Sequence, residues 1–424
     1  MTIVFVMDSY GNFSNGTTAT ARRFANCLRK RGHTVRVLAA NSKEAKGERD
    51  FYPVTPFKVP IFQPLIDKQG FTFAKADREV IYKAIKGADL VHLFLPFPLE
   101  VAARRTAEQL NIPVTAAFHL QPENVTYTLY MGKNKSVNNR MYYYLYDNFY
   151  RYVKHIHCPS KMIANQLKKH HYDTNITHVI SNGVVPAFKS MDVAKPEKFK
   201  DKYVILMVGR LSREKRQDLI IKAIGRSKYN KRIQLILCGQ GPQEKIIRKL
   251  SKKHLINPVE IKFVKQSELV KIINYSDLYI HSSDAEIEAI ACIEAFTCGI
   301  VPVISDSPIS ATNQFALFDK CLFKNGNYKS LQHRIDYWIE HPAVKAEYSK
   351  KYIEYAKQFA IENEVTKLEK VFADVIKEND LGKAIPQVQL SKSQMRKNEK
   401  FEEEMQQIIE EIERDKDECI HSGI

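Results

Sequence analysis

The sequence predicts an α/β protein in which two doubly wound, Rossmann-like domains face each other across a cleft, followed by a charged helical tail. Three observations carry this prediction. Short apolar runs, the mark of parallel strands buried on both faces, alternate with amphipathic stretches of helical length, and the alternation that begins at Ile3–Met7 restarts at Tyr203–Val208. Between the two series lies a polar, lysine-rich, proline-flanked linker, Pro186–Lys202. A chain of 424 residues with 44% apolar content also exceeds what one core serves. The expected division is 1–185, 186–379 and a tail, 380–424.

Charge and cysteine usage narrow the class. The net charge is +17, and residues 380–424, with eleven acidic and seven basic side chains, carry −4 of it, so the remainder carries +21. Such a balance suits an anionic partner: nucleic acid, a membrane surface or a phosphorylated substrate. No nucleic-acid motif accompanies the charge, so nucleic acid is set aside. The seven cysteines form no C-x-x-C pair and no zinc spacing, and read as reduced cytosolic thiols. Thr2–Met7 has no basic segment before it and no apolar run approaches about 18 residues, so neither a signal peptide nor a transmembrane helix is expected. The expected location is the cytoplasm.

In the first domain, Ile3–Met7 leads through a Gly- and Asn-containing loop, Asp8–Gly16, into a helix, Thr17–Gly32, and a strand, Val35–Ala39. Gly11-x4-Gly16-Thr17-Thr18 lacks the lysine of a P-loop, and no G-x-G-x-x-G is present, so both nucleotide fingerprints fail. Phe51–Phe73, with interleaved prolines and aromatics, reads as an irregular excursion that either packs over the sheet edge or binds an acceptor. Asp89–Leu95 and Pro113–Phe118 are further strands around the helix Glu100–Leu110. His119 follows the second of them, where ligands gather in open α/β sheets. Residues 127–172 mix tyrosines, phenylalanines and bases. Helical spacing there fits a core stripe, while rings beside cations also fit a membrane interface. Ile156–Pro159 and Val179–Gly183 close the domain.

In the second domain, Tyr203–Val208 is followed by the loop Gly209-Arg210-Leu211-Ser212-Arg213-Glu214-Lys215 and the helix Gln217–Ile224. Gln234–Cys238 then turns through Gly239-Gln240-Gly241 into the helix Gln243–Lys253. The organising stretch is Ser276–Asp306: strand Leu278–His281, polar turn Ser282–Glu286, helix Ala289–Cys298 stopped by Gly299, strand Ile300–Ser305. Glu286 sits in the mouth of this βαβ unit and Glu294 about two helical turns in. Spacing alone leaves two uses for such carboxylates, complementing the helix dipole or accepting bonds from paired hydroxyls. Helical patterns at Leu331–Glu340 and Val344–Phe372 end the domain. In the tail, Phe401, Met405, Ile408, Ile409 and Ile412 recur at helical spacing on a highly charged background, as in a segment that docks a protein partner or forms a coiled coil.

Glu286-x7-Glu294 with Ala295, Cys298-Gly299 and Pro302-Val303 resembles the donor signature of the retaining glycosyltransferases of family 4, which have the GT-B fold. The Gly209–Lys215 run resembles a second signature of that family, and Ser181-Asn182-Gly183-Val184 its loop at the end of the first domain. The resemblance covers about residues 1–375. It implies that Glu294 binds the ribose hydroxyls of a nucleotide-sugar donor, that Glu286 and His119 lie against the donor sugar, and that Arg210 and Lys215 grip the diphosphate, with the backbone at Gly209 and Ala289 beside them. Gly16 corresponds to the first loop, which closes on the donor phosphates and the acceptor, and the base is expected in the zone of Ile261–Val264 and Ser267–Ile273. Two cations beside a helix N-terminus would stabilise the leaving diphosphate, so neither a metal nor another cofactor is implied. The chain departs from the family at the E-G-F-G turn, where both glycines are replaced, by Ile287 and Ala289, with Glu288 between them. The implied reaction is transfer from a UDP-sugar to an acceptor hydroxyl. The charge and the aromatic-basic segment point to a membrane lipid or lipid-linked glycan as acceptor, presented to a protein resting on an anionic membrane face. A soluble enzyme acting on protein or polysaccharide, and an inactive partner subunit, are the alternatives.

Overall fold

The computed structural model describes residues 1–10, 16–42, 45, 47–58, 63, 71–128, 131–132, 134–382, 395, 396 and 403. Most of the tail from 383 onward, loop residues 11–15 and much of the 51–73 excursion, on which the sequence placed expectations, lie outside the described residues.

Two parallel sheets form the frame. In the first, the spatial order is Phe51–Val54, Thr34–Ala40, Thr2–Val6, Leu90–Leu93, Val114–Ala117, His155–Cys158, Ile176–Val179. In the second it is Glu260–Lys262, Ile233–Cys238, Tyr203–Val208, Leu278–His281, Pro302–Asp306, Leu322–Lys324. Both sheets have their first strand central and reverse direction beside it, at Ile3↔Val35 and Ile3↔Leu90 in one, and at Ile205↔Leu235 and Ile205↔Leu278 in the other. This is the order in which a crevice opens at the carboxyl ends of the strands. The central strands are buried throughout on both faces, which is why they read as unbroken apolar runs.

Two expectations change. Phe51–Val54 is a strand, pairing in parallel with Thr34–Ala40. Pro53 is admissible because the strand lies at the sheet edge, where a missing N–H breaks no inner ladder. The single helical pattern 344–372 is broken: Pro342–Ala356 stops in a short turn, Lys357–Phe359, and a new helix, Ile361–Asp380, begins. That helix crosses back to the first domain. Its Ile361, Val365, Leu368, Phe372 and Val375 are buried in one cluster with Phe24 and Leu28 of the helix Gly16–Lys30. Each such side chain stabilises the association by about 1.5–3 kcal/mol. A His33 Nε2–Glu369 Oε1 hydrogen bond (2.7 Å) and the ion pair Lys154–Glu378 (2.7 Å) flank the same seam.

The aromatic segment divides by burial. Tyr142, Phe149, Tyr150 and Tyr172 belong to the first-domain core around Phe118, whereas Tyr143 and Tyr144 are 69% and 63% exposed. Two of the cations in this segment, Arg151 and Lys154, pair with Asp147 (2.5 Å) and Glu378 (2.7 Å). Among the described residues, no helix is long and apolar enough to cross a membrane.

Candidate active site between the two sheets

The carboxyl ends of the two sheets meet, and a set of bonds crosses between them. Ser160 Oγ donates to the Ile287 carbonyl (2.6 Å), Asn182 N to Glu288 Oε2 (3.0 Å), Gln121 Nε2 to the Ile309 carbonyl (3.0 Å) and Tyr127 Oη to Asp284 Oδ2 (3.0 Å). Ser160 and Asn182 follow first-domain strands; Ile287, Glu288 and Asp284 lie in the turn after Leu278–His281.

The expected site residues fall on both walls of this cleft. Gly209 follows the strand Tyr203–Val208, and its N–H donates to the Cys238 carbonyl (2.9 Å). The loop needs glycine opposite it too: a Cβ on Gly239 would stand 1.9 Å from the Gly209 carbonyl oxygen. Arg210 follows, its carbonyl accepting from Gln217 Nε2 (2.8 Å), and burial depresses its guanidinium pKa. Lys215 ends a single 3-10 turn, and Arg216 after it is left-handed (φ 53°), so consecutive side chains diverge: Lys215 to Glu286, Arg216 to Asp284.

Glu286 is 7% exposed, and one of its oxygens is shared by Lys215 Nζ and His281 Nε2, the latter at 2.9 Å. Tyr279 Oη contacts the other ring nitrogen of His281 at 3.2 Å. Burial alone would raise the Glu286 pKa; the adjacent Lys215 and His281 more than reverse this and hold the carboxylate well below its usual range. The carboxylate also sits in a short parallel pairing absent from the sequence expectation, Ala285–Glu286 with Ile309–Ser310, which fixes its backbone.

Ala289 caps the following helix, Ile290–Thr297, in the left-handed region (φ 69°, ψ 62°). The family's second glycine position has therefore kept a glycine-like backbone under an alanine. Glu294 is held from the opposite domain by Arg23 Nη2 (2.7 Å), and Arg23 Nη1 also reaches the Gly183 carbonyl (3.3 Å). Burial raises the Glu294 pKa, and Arg23 only partly offsets it. Glu288, in place of the family's aromatic, points away from the turn to Ser181 and Asn182, and burial lifts its pKa to about 7 against those bonds.

His119 follows the strand Val114–Ala117, is 8% exposed and lies parallel to the Phe94 ring at 5.9 Å. Burial, then the neighbouring His157, keeps it neutral, with its pKa well below the ordinary value, and its Nε2 has no partner among the described residues. Gly16 opens the helix Gly16–Lys30, its carbonyl accepting from Thr20 Oγ1 (2.9 Å). The structure thus joins Lys215 and Glu286 directly, and sets His119 and Gly16 on the other domain. No group of three or more metal-ligating side chains is found among the described residues.

Two participants escaped the sequence reading. His281 ends a central strand, the same positional signal that singled out His119. Arg23 carried no signal, being an ordinary polar residue on an amphipathic helix 271 positions from its partner.

Residues 14–188 match the model of Glycosyltransferase Family 4 and residues 189–359 that of Glycosyl transferases group 1. Together with the two-sheet architecture, these matches place the chain in glycosyltransferase family 4, with the GT-B fold. It is similar to the alpha-monoglucosyldiacylglycerol synthase of Streptococcus pneumoniae, 23% identical over 72% of this chain and 71% of that one. It is also similar to a GDP-mannose-dependent alpha-mannosyltransferase of Corynebacterium glutamicum, 24% identical over 74% and 75% of the two chains. Among solved structures, Anabaena HepE in complex with UDP superposes with a TM-score of 0.69 at 18% identity, covering 88% of this chain and all (100%) of that one.

Proposed function

We propose that this glycosyltransferase moves a hexosyl unit from a UDP-sugar to a hydroxyl of a membrane lipid or lipid-linked glycan, with retention of anomeric configuration and without a divalent ion. The observation that carries the reading is the Glu286 carboxylate, held ionised between Lys215 and His281 where the two sheets meet. In this assignment Lys215 and Arg210 neutralise charge developing on the departing diphosphate, as preorganised cations in a partly dry cleft do best. Glu294 accepts from the ribose hydroxyls, Glu286 and neutral His119 position the donor sugar, and Gly16, Gly209 and Ala289 contribute backbone beside the phosphates. Lys215, which gains phosphate oxygens as partners, then leaves Glu286 free to bind sugar hydroxyls.

The lipid acceptor is supported by the Streptococcus relative, a synthase of alpha-monoglucosyldiacylglycerol, and by one surface. On the helix Lys135–Asn148, the residues Lys135, Ser136, Asn139, Arg140, Tyr143 and Tyr144 are exposed and recur at helical spacing. Lys168 and Lys169 on the adjoining helix Lys161–Lys169 are exposed too, and Tyr142 stacks on His170 at 3.9 Å to join the two. Near an anionic leaflet each such cation contributes about 1 kcal/mol, and the tyrosines suit headgroup depth. The test pairs UDP- and GDP-sugars with diacylglycerol vesicles, reads the product anomer by NMR, and floats the protein on vesicles of rising anionic content at low and high salt. Transfer from the UDP-sugar with salt-sensitive flotation is the expected result. Failure to float, with transfer unchanged when Arg140, Lys168 and Lys169 are neutralised, rejects the membrane reading; transfer from the GDP-sugar alone rejects the donor.

A further inference from the structure

The helix Glu244–His254 of the second domain carries five lysines and arginines and one carboxylate. Its Ile247 and Ser251 are buried and mark the face that packs on the domain, while Lys245, Arg248, Lys249, Lys252 and Lys253 are all exposed. Among the described residues, only Arg248 of these five pairs with a carboxylate, Glu244 at 2.8 Å. Other exposed helices match their cations with acids four residues away, as Lys351 with Glu347 (2.6 Å) and Lys83 with Glu79. Here Lys245, Lys249 and Lys253 stand four apart, and so do Arg248 and Lys252. Like charges thus face one another about 6 Å apart along the axis, inside the screening length of physiological salt, and destabilise the helix. The helix dipole accounts for Lys252 and Lys253 in the last turn but opposes Lys245 in the first. Among these cations Ile246 is 55% exposed.

We infer that this face is a second membrane footing, which rests on an anionic leaflet together with the helix Lys135–Asn148 of the first domain. The two helices begin on opposite sides of one cavity of about 550 Å³ between the domains: Gly132, three residues before Lys135, lines one side, and Ile246, Ile247 and Leu250 line the other. Both helix starts are therefore within reach of one flat surface. An anionic surface relieves the repulsion among the unpaired lysines. It is a leaflet rather than a nucleic acid because the exposed Ile246 gains nothing on a phosphate backbone, whereas at headgroup depth its apolar surface leaves water. The inference takes the class of partner from the membrane reading above and adds a different surface, on the other domain. With a footing on each domain, the leaflet holds both walls of the cleft and is presented to its edge.

Flotation of the full chain on phosphatidylcholine vesicles with rising phosphatidylglycerol content, at low and high salt, tests this. Lys245→Glu, Lys249→Glu and Lys253→Glu combined are expected to lower the low-salt partition coefficient about tenfold or more, whereas arginine at all three positions is expected to retain it. The glutamate variant is expected to bind UDP like wild type, and its urea midpoint to hold or rise because the repulsion is gone. If that variant does not bind UDP, glutamine at the three positions puts the same question with a milder change. Unchanged partition in the charge-removing variants, or an equal loss in the arginine variant, overturns the inference. Neutralising Arg140, Lys168 and Lys169 tests the first-domain surface separately: loss in that variant alone keeps the membrane reading and rejects this footing, and loss in the second-domain variant alone does the reverse. A wild type that does not float rejects both. Salt-sensitive binding to duplex RNA without vesicle binding overturns the membrane as partner.

Discussion

Arg23 and Glu294 stand 2.7 Å apart although they belong to different domains, and this pair ties the helix behind the first loop to the expected ribose carboxylate. Replacing Arg23 with Met leaves a buried carboxyl without its cation. The expected result is a loss of about 1–3 kcal/mol of stability near neutral pH, measured by urea unfolding, with a smaller loss in acid, where Glu294 takes up a proton.

Glu294→Gln keeps the shape and removes the charge. Donor affinity is expected to fall about tenfold or more, the magnitude of a charge-assisted bond, while the unfolding midpoint stays close to wild type because the carboxyl is costly to bury. Calorimetric titration of UDP measures it; unchanged affinity rejects the ribose assignment.

Lys215→Ala is expected to lower kcat more than it weakens donor binding, since charge accumulates on the diphosphate as the bond breaks. Activity is expected to survive EDTA, and loss restored by magnesium or manganese contradicts the metal-free reading. The same substitution releases Glu286 from its strongest partner, so the Glu286 pKa is expected to rise toward the ordinary range, readable by carboxyl NMR.

Ala289 occupies a left-handed backbone that costs an L-residue about 1–2 kcal/mol. Ala289→Gly removes that cost but adds flexibility to the unfolded chain worth about 0.4–1 kcal/mol, so a small net stabilisation is expected. Ala289→Val, adding a branched side chain to the same backbone, is expected to destabilise. Comparing the urea midpoints of all three decides the matter.

Glu288 sets a pH dependence. Its pKa rises from an ordinary 4.5 to about 7 on folding, so the folded state binds the extra proton. Its contribution is fully present below about 4.5 and is lost as pH rises through about 7. Glu288→Gln is expected to abolish that component, so wild type minus variant stability falls between these limits and is level above and below them. Asp8, lifted to about 6 by burial, titrates in the same window in both proteins and cancels in the difference.

The strand pattern was readable because these strands are covered on both faces, leaving apolar runs that no other element explains. Glu286, Lys215 and Ala289 were singled out because the short runs that hold them resemble family signatures, spacing alone leaving their use open, and the fold brings Lys215 and Glu286 into contact. The edge strand Phe51–Val54 was not, since two prolines in a seven-residue stretch suppress the signal and only the neighbouring strand licenses it. The break at Lys357–Phe359 was hidden by good helix formers on either side; packing across two domains, a long-range matter, decides where that helix stops. Glu288 shows the same limit from another side, because its partners Ser181 and Asn182 are more than a hundred residues away and give a carboxyl in place of an aromatic no local meaning.

The return of Ile361–Asp380 to the first domain means that cutting the gene at the linker does not cut the protein into its halves. A fragment ending near residue 185 would lack the apolar ridge of Ile361, Val365, Leu368 and Phe372 and present Phe24 and Leu28 to water, whereas a fragment beginning there would carry that ridge with nothing to cover it. Because the chain passes between the domains twice, after Gly183 and again at Ala360, where Val184 N donates to the Phe359 carbonyl (2.8 Å) and Ile361 N to the Val184 carbonyl (3.0 Å), the halves hang on two adjacent pins. Such a mounting lets the cleft open and shut like a door while resisting a turn of one half about the long axis of the other.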